Sequence, residues 1–233
     1  MTRALDQDEL RRLDLQPAER VTLNDTVYAD LRELVVSGRI APGQSLSTRT
    51  LAATLGVSPM PVRSALQRLA ADGALEGRPN RTYRIPMLSP REFIDILRLR
   101  LVLEVAAARQ AVPQLTPQAL YRLERIQAEM YGPVPLDLGT FLSLNREFHF
   151  ILYTAADNKR QLRFIETLWL QIGPLLRLVS NETDGRTGFE AHGEMLTAAR
   201  GRDATSMAAA MSRDIEEAAV GILAWLHAQS DEN

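Results

Sequence analysis

Cysteine is absent from all 233 residues. That excludes a disulfide framework, a thiolate metal site and a cysteine nucleophile. No apolar run reaches the roughly 18 residues needed to span a bilayer, so no membrane association is expected. The first twenty residues, MTRALDQDELRRLDLQPAER, alternate charges and lack the apolar centre of a secretory signal. They read as a polar tail (1–20), and a cytoplasmic location is the simple expectation. Net charge is also nearly absent, at −2, beside 45% hydrophobic and 24% charged residues. Such a chain is an ordinary globular one, long enough for two domains with a core each.

The small net charge hides a division along the chain. Between Arg20 and Pro86 stand nine arginines (20, 32, 39, 49, 63, 68, 78, 81 and 84) against five acids, Asp25, Asp30, Glu33, Asp72 and Glu76. The segment carries +4 and the remainder −6, which fits a nucleic-acid reader joined to an acidic body.

Within residues 21–88 the local signals come in order. Val27, Leu31, Leu34 and Val35 have helical spacing, with Asn24 or Thr22 as cap and Gly38 as stop. Pro42-Gly43 marks a turn, and a short helix starts near Ser47 or Thr48 and runs to Leu55. Gly56-Val57-Ser58 then turns the chain sharply, with Ser58 as N-cap and Pro59 at the first helical position. The helix from Pro59 to Asp72 buries Val62, Leu66 and Leu69 and presents Met60, Arg63, Ser64 and Gln67, a size and pattern suited to the major groove. Leu75-Glu76 and Thr82 to Ile85 read as two short strands around Pro79-Asn80, with Arg78 and Arg81 near the tip. This is a winged helix-turn-helix, a three-helix pattern that also occurs without DNA.

From Leu31-Arg32 through Gly38, Pro42-Gly43, Leu55-Gly56-Val57-Ser58, Pro61-Val62-Arg63, Ala65-Leu66 and Gly73 to Pro79-Asn80-Arg81, this segment resembles the N-terminal domain of GntR-family bacterial regulators. The resemblance implies that Arg49 and Arg63 touch DNA. The expected DNA-binding set is Arg32, Arg49, Ser58, Met60, Arg63, Gln67, Asn80 and Arg81. Two departures bear on which bases are read: Pro59 stands where the family often has Arg, and Thr82 where it often has Gly.

Residues 89–230 show no strand alternation and no glycine-rich phosphate loop. Six helical patterns begin near Ser89, Thr116, Leu138, Asn158, Thr187 and Asp203, and their short connections argue an antiparallel bundle. The expected fold is therefore mainly α: a winged helix-turn-helix with a small β wing, then an all-α bundle of about six helices. Only three histidines exist. Asn145 and His149 share one helical face, while His192 and Asp214 lie on later helices. Each alone reads more readily as a satisfied polar group or a surface residue than as a ligand. His227 reads as a surface residue.

The stretches Arg100 to Glu104, Asn145 to His149, Ala156-Asp157-Asn158 and His192 to Asp214 resemble the FCD domain of the FadR subfamily. That resemblance implies a divalent metal, zinc or similar, on Asn145, His149, His192 and Asp214, with Asp214 where the family usually has His. Carboxylate can still bind such a metal. Arg100 falls where the family faces an effector, and its other role is an i,i+4 pair with Glu104. The reading is a ligand-responsive bacterial transcription regulator, not an enzyme, which binds a pseudo-palindromic double-stranded operator as a homodimer and takes a small organic acid as effector. A pocket that works without metal remains open. A metal-dependent hydrolase on the same residues, with Glu147 or Glu194 as base, is the alternative, and it leaves the basic wing unexplained.

Overall fold

A computed structural model of the chain describes residues 22–182 and 189–231; the N-terminal tail, 1–20, lies outside them. Among the described residues no helix is long and apolar enough to cross a membrane.

Thr22 is the first described residue. Its hydroxyl accepts from the Asp25 amide while the Asp25 carboxylate accepts from the Thr22 N–H. This reciprocal cap satisfies two orphan donors and starts α1 (Leu23–Val36), which buries Val27, Leu31, Val35 and Val36. A short strand, β1 (Ser45–Ser47), leads into α2 (Thr48–Leu55), whose first turn is capped by the Ser47 side chain on the Thr50 amide. Gly56 ends α2 at φ 64°, a left-handed conformation that suits glycine.

The next helix, α3 (Pro59–Ala71), buries Val62, Ala65, Leu66 and Leu69. Ser58 precedes it in extended backbone, as expected of a cap, yet its side chain makes no capping hydrogen bond. The sequence gives the reason: the third helical residue, a preferred donor to such a cap, is Pro61, which has no N–H.

The wing pairs β2 (Glu76–Arg78) with β3 (Thr82–Arg84), and β1 pairs with the other edge of β3, giving an antiparallel sheet of order β1-β3-β2. Leu46 and Gly77 both stand opposite Tyr83. Two strands were expected, and the third was missed because three residues, Ser-Leu-Ser, are too short to show alternation. Leu75 is buried in the core, and pairing starts one residue later, at Glu76. Asn80 supplies the left-handed turn at the wing tip, φ 61°; asparagine tolerates this conformation, and Thr82 is free to begin β3.

Six helices follow: α4 (Pro90–Ala111), α5 (Pro117–Met130), α6 (Leu138–Ala155), α7 (Lys159–Glu182), α8 (Phe189–Arg200) and α9 (Ala204–Asp231). Ser89, Thr116 and Asp137 cap the first three by accepting backbone amides. Helix α9 packs on α4 and α8, while α6 packs on α4, α5 and α7. Their shared core holds Phe93, Phe148, Leu152, Ile165, Trp169, Met211 and Ile215.

The winged unit is docked on this bundle through α1 and α7. Gln171 donates to the Asp72 carbonyl at 3.0 Å, and Arg177 donates to the Gly38 carbonyl at 3.2 Å. Arg32 pairs with Glu166, and Arg146 of α6 pairs with Glu33. At the centre of the contact Gly173 lies so close to α1 that a Cβ there would sit 2.4 Å from the Val36 carbonyl oxygen.

Candidate functional sites

Two sites emerge, one on the winged unit and one inside the bundle. On the first, α3 turns Met60, Ser64, Gln67 and Arg68 outward. The Arg63 guanidinium lies 3.2 Å from the Met60 sulfur. Thr48, Pro59, Met60 and Arg63 line a recess of about 270 Å³ between the start of α2 and the start of α3, and Arg49 is exposed beside Thr48. Ser58 and Asn80 are also exposed. The Arg81 side chain lies outside the described residues. The Arg32 guanidinium lies 3.3 Å from Glu166 on α7.

The second site is built by three helices. His149 projects from α6, His192 from α8 and Asp214 from α9, and a ligand atom from each lies within 4.8 Å of the others. The two Nε2 atoms are 3.2 Å apart. His149 Nε2 stands 3.3 Å from one Asp214 oxygen, and His192 Nε2 stands 3.5 Å from the other. Asn145, half-buried, lies one turn before His149 on the same helix. His227 is exposed on α9.

These spacings fit a metal. A tetrahedral centre with bonds of about 2.0–2.1 Å has edges of about 3.4 Å, and the three measured separations straddle that value. The donor set, two imidazoles and a carboxylate, suits zinc or another divalent ion. Both histidine side chains are buried, and Asp214 keeps 12% of its side chain exposed, the most open of the three. Burial, only partly opposed by Asp214, pushes the His192 pKa down to about 4, so its ring is neutral and able to ligate at neutral pH. Burial pushes Asp214 up, but His149 and His192, with the His149 hydrogen bond and Arg100, outweigh it and hold the carboxyl below its ordinary value.

Behind the cluster lies a polar network that sequence reasoning did not anticipate beyond the Arg100–Glu104 pair. Glu104 is fully buried and accepts from Arg100 Nε at 2.6 Å, Arg100 Nη2 at 3.3 Å, Trp169 Nε1 at 3.1 Å and the Tyr153 hydroxyl. Tyr153 in turn lies 3.1 Å from His149 Nδ1, and Tyr131 lies 3.3 Å from His192 Nδ1. Tyr153 did carry a signal: it sits four residues after His149, on the same helical face. Nothing in the sequence pointed to Trp169 on α7 or Tyr131 just past the end of α5.

The two candidate bases of a hydrolase are both held elsewhere. Glu147 forms a two-pronged pair with Arg122 at 2.6 and 2.7 Å, and Glu194 pairs with Arg213 at 2.8 Å.

A winged helix with an outward-facing third helix, fixed to a helical bundle with an enclosed polar site, is the architecture of a DNA-binding transcription regulator with a second, helical domain. The comparisons with known proteins agree. Residues 23–85 match the model of bacterial regulatory proteins of the gntR family, and residues 95–217 match the FCD domain. The chain belongs to the GntR family, with a C-terminal FCD domain, and is a transcription regulator rather than an enzyme. It is 32% identical over 193 residues to the HTH-type transcriptional regulator McbR of Escherichia coli K12, covering 79% of this chain and 86% of that one. It is 27% identical over 205 residues to the transcriptional repressor RspR of the same organism, covering 87% and 89%. The solved structure of E. coli McbR superposes with a TM-score of 0.78 over 91% of this chain and all of that one, at 29% identity.

Proposed function

We propose that the chain is a cytoplasmic, ligand-responsive regulator whose DNA-binding domain spans 21–88 and whose ligand-binding and dimerisation domain spans 89–230. Two copies join and read a pseudo-palindromic operator. Leu99 and Val102 on α4 and Phe164 on α7 are large apolar side chains exposed on two helices that pack together, and we assign the contact between copies to these helices. On each copy Arg49, Ser58, Met60, Arg63, Gln67, Asn80 and Arg81 face DNA, with Arg63 able to reach a guanine edge and the wing set against phosphate. Arg32 serves docking instead.

His149, His192 and Asp214, with Asn145 beside them, hold a divalent metal. Such an ion, if bound there, would supply a Lewis-acidic centre able to attract the carboxylate of a small organic acid, and Asp214 is the most exposed of the three ligands. Arg100, already engaged with Glu104, adds positive charge behind the site.

The observation that carries this reading is the double engagement of α7. Its Trp169 ring lies 5.5 Å from the His149 ring, and one turn later Gly173 lies against α1 of the winged unit. A ligand that shifts α7 therefore changes the docking of the DNA reader, which is allostery if the two arrangements differ in affinity for it.

Replacing Arg63 by alanine tests the DNA face. The expected loss is ~1–3 kcal/mol of specific binding, the value of one bidentate base contact, in a titration against a selected operator duplex at fixed salt. Unchanged affinity would remove Arg63 from base reading.

A further inference from the structure

One arginine of the basic segment, Arg39, is not among those assigned to DNA. It follows the left-handed turn at Gly38, just past α1, and forms no ion pair with any described residue. It lines a cavity of about 710 Å³ between the winged unit and the first half of α6, a size within the ordinary span of small-molecule sites, about 300–1,000 Å³. A second cavity of about 280 Å³ shares Arg39, Asp137 and Gly139 with it and reaches Arg177 of α7.

The charges facing this crevice are unevenly matched. Asp137 is engaged by the Thr140 amide and hydroxyl, and Glu147 by two bonds from Arg122. Arg146 pairs with Glu33 through Nη2, yet its Nε is buried and finds no acceptor among the described residues. Arg177 donates through Nη1 to the Gly38 carbonyl and meets no carboxylate among them. With the Arg146–Glu33 and Arg122–Glu147 pairs cancelled, Arg39 and Arg177 stand against Asp137 alone, an excess of one positive charge. One wall is apolar: Leu144 and Phe150 line the larger cavity, and the Arg146 guanidinium lies 5.8 Å from the centre of the Phe150 ring.

We propose that this crevice is a second ligand site, separate from the histidine cluster, for a small molecule with an apolar body and a carboxylate or phosphate head, held by Arg39 of the winged unit and Arg146 of the bundle. A guanidinium is a planar fork matched to such heads, and Leu144 and Phe150 receive the body. Arg177 extends the cationic wall into the smaller cavity. The crevice lies on the docking seam, since Gly38 accepts from Arg177 and Val36 touches Gly173. A ligand shared by Arg39 and Arg146 therefore ties the winged unit to the bundle. It needs no metal and does not depend on the roles of His149, His192 and Asp214.

The test titrates metal-free, full-length protein with benzoate and, separately, with phenyl phosphate, at constant ionic strength. The amide NMR signals of Gly38, Gly139 and Ser143 should shift and saturate with at least one of them, and the tighter arm names the head group. Hydrogen exchange at Gly38 should slow on binding. Arg39→Gln should weaken binding about 10–100-fold, the effect of losing a charge-assisted hydrogen bond, with the rest of the spectrum superimposable. Arg39→Lys should recover part of the loss. Arg98→Gln, which removes an exposed charge on α4, and Asp214→Ala should leave binding unchanged. No saturable shift with either anion, equal affinity in Arg39→Gln, or shifts centred on His149 and His192 overturns the proposal. So does an Arg39→Gln protein that loses operator affinity but keeps the anion, because Arg39 then belongs to the DNA face.

Discussion

Replacing Glu104 by leucine is expected to cost the protein about 3–5 kcal/mol, the range for removing one partner of a buried ion pair. The carboxylate is fully buried, and Arg100 beside it keeps only 4% of its side chain exposed. Without Glu104 the guanidinium loses both of its bonds, and the Trp169 N–H and the Tyr153 hydroxyl lose an acceptor as well. Shape is not the issue, since leucine nearly fills the volume; the cost is a buried charge that loses its hydrogen-bonded counter-charge. Set against a typical folding stability of about 5–15 kcal/mol, a loss of this size brings the domain close to unfolding at working temperature. The double variant Arg100→Met with Glu104→Leu separates the contributions. It removes the orphaned charge and should recover most of the loss, leaving the two orphaned donors at about 1–3 kcal/mol each. Urea denaturation followed by circular dichroism gives both numbers. A Glu104→Leu midpoint equal to wild type would show that this network is not what holds α4, α6 and α7 together.

The second large effect is expected at Gly173, where two rules predict opposite signs. Alanine inside a helix is favoured over glycine by about 0.5–1 kcal/mol, so helix propensity alone predicts a more stable protein. The added Cβ, however, would lie 2.4 Å from the Val36 carbonyl oxygen and 3.0 Å from the Val36 carbonyl carbon and Cα. These are backbone atoms at the end of α1, and they move only if the winged unit moves. Overpacking of this kind costs typically 1–3 kcal/mol, so the contact outweighs the propensity. Gly173→Ala should loosen the winged unit from α7, with a lower melting temperature and amide exchange rising around Gly38 and Asp72. Gly193 in α8 is the internal control, because a Cβ there meets nothing within 4 Å and propensity acts alone. If Gly173→Ala stabilises as much as Gly193→Ala, the domains are not docked as described.

The winged helix was legible because its signals are local. Gly56 at a left-handed turn, Pro59 at the first helical position, and Val62, Leu66 and Leu69 on one face each need only near neighbours to be read. Ser58 shows the limit of that reading: its type and place suit a cap, but the partner amide is removed by Pro61. The strand β1 was invisible, since Ser45–Ser47 becomes a strand only by meeting Thr82–Arg84. In the bundle, spacing alone could not bring His149, His192 and Asp214 together. The resemblance suggested it, and the fold places them within 4.8 Å of one another. Arg100 was read two ways, as an effector contact or as a partner of Glu104, and the structure places its guanidinium on Glu104. Arg32 was expected among the DNA-binding residues. Its helix α1 packs on α7, where its guanidinium lies 3.3 Å from Glu166. Charge counting along a chain cannot see which face a helix turns to another domain.

The central claim is that a ligand in the bundle sets the affinity of the winged helix for its operator. It is tested most directly by the operator-binding isotherm of zinc-loaded protein, at fixed salt, with and without each of a panel of small organic acids. At least one acid should shift the operator affinity by about 5–150-fold, the usual span of allosteric coupling, and Asp214→Ala should abolish the shift while leaving binding without the acid intact. Superimposable isotherms for every acid, from protein that binds both its operator and zinc, would contradict the account.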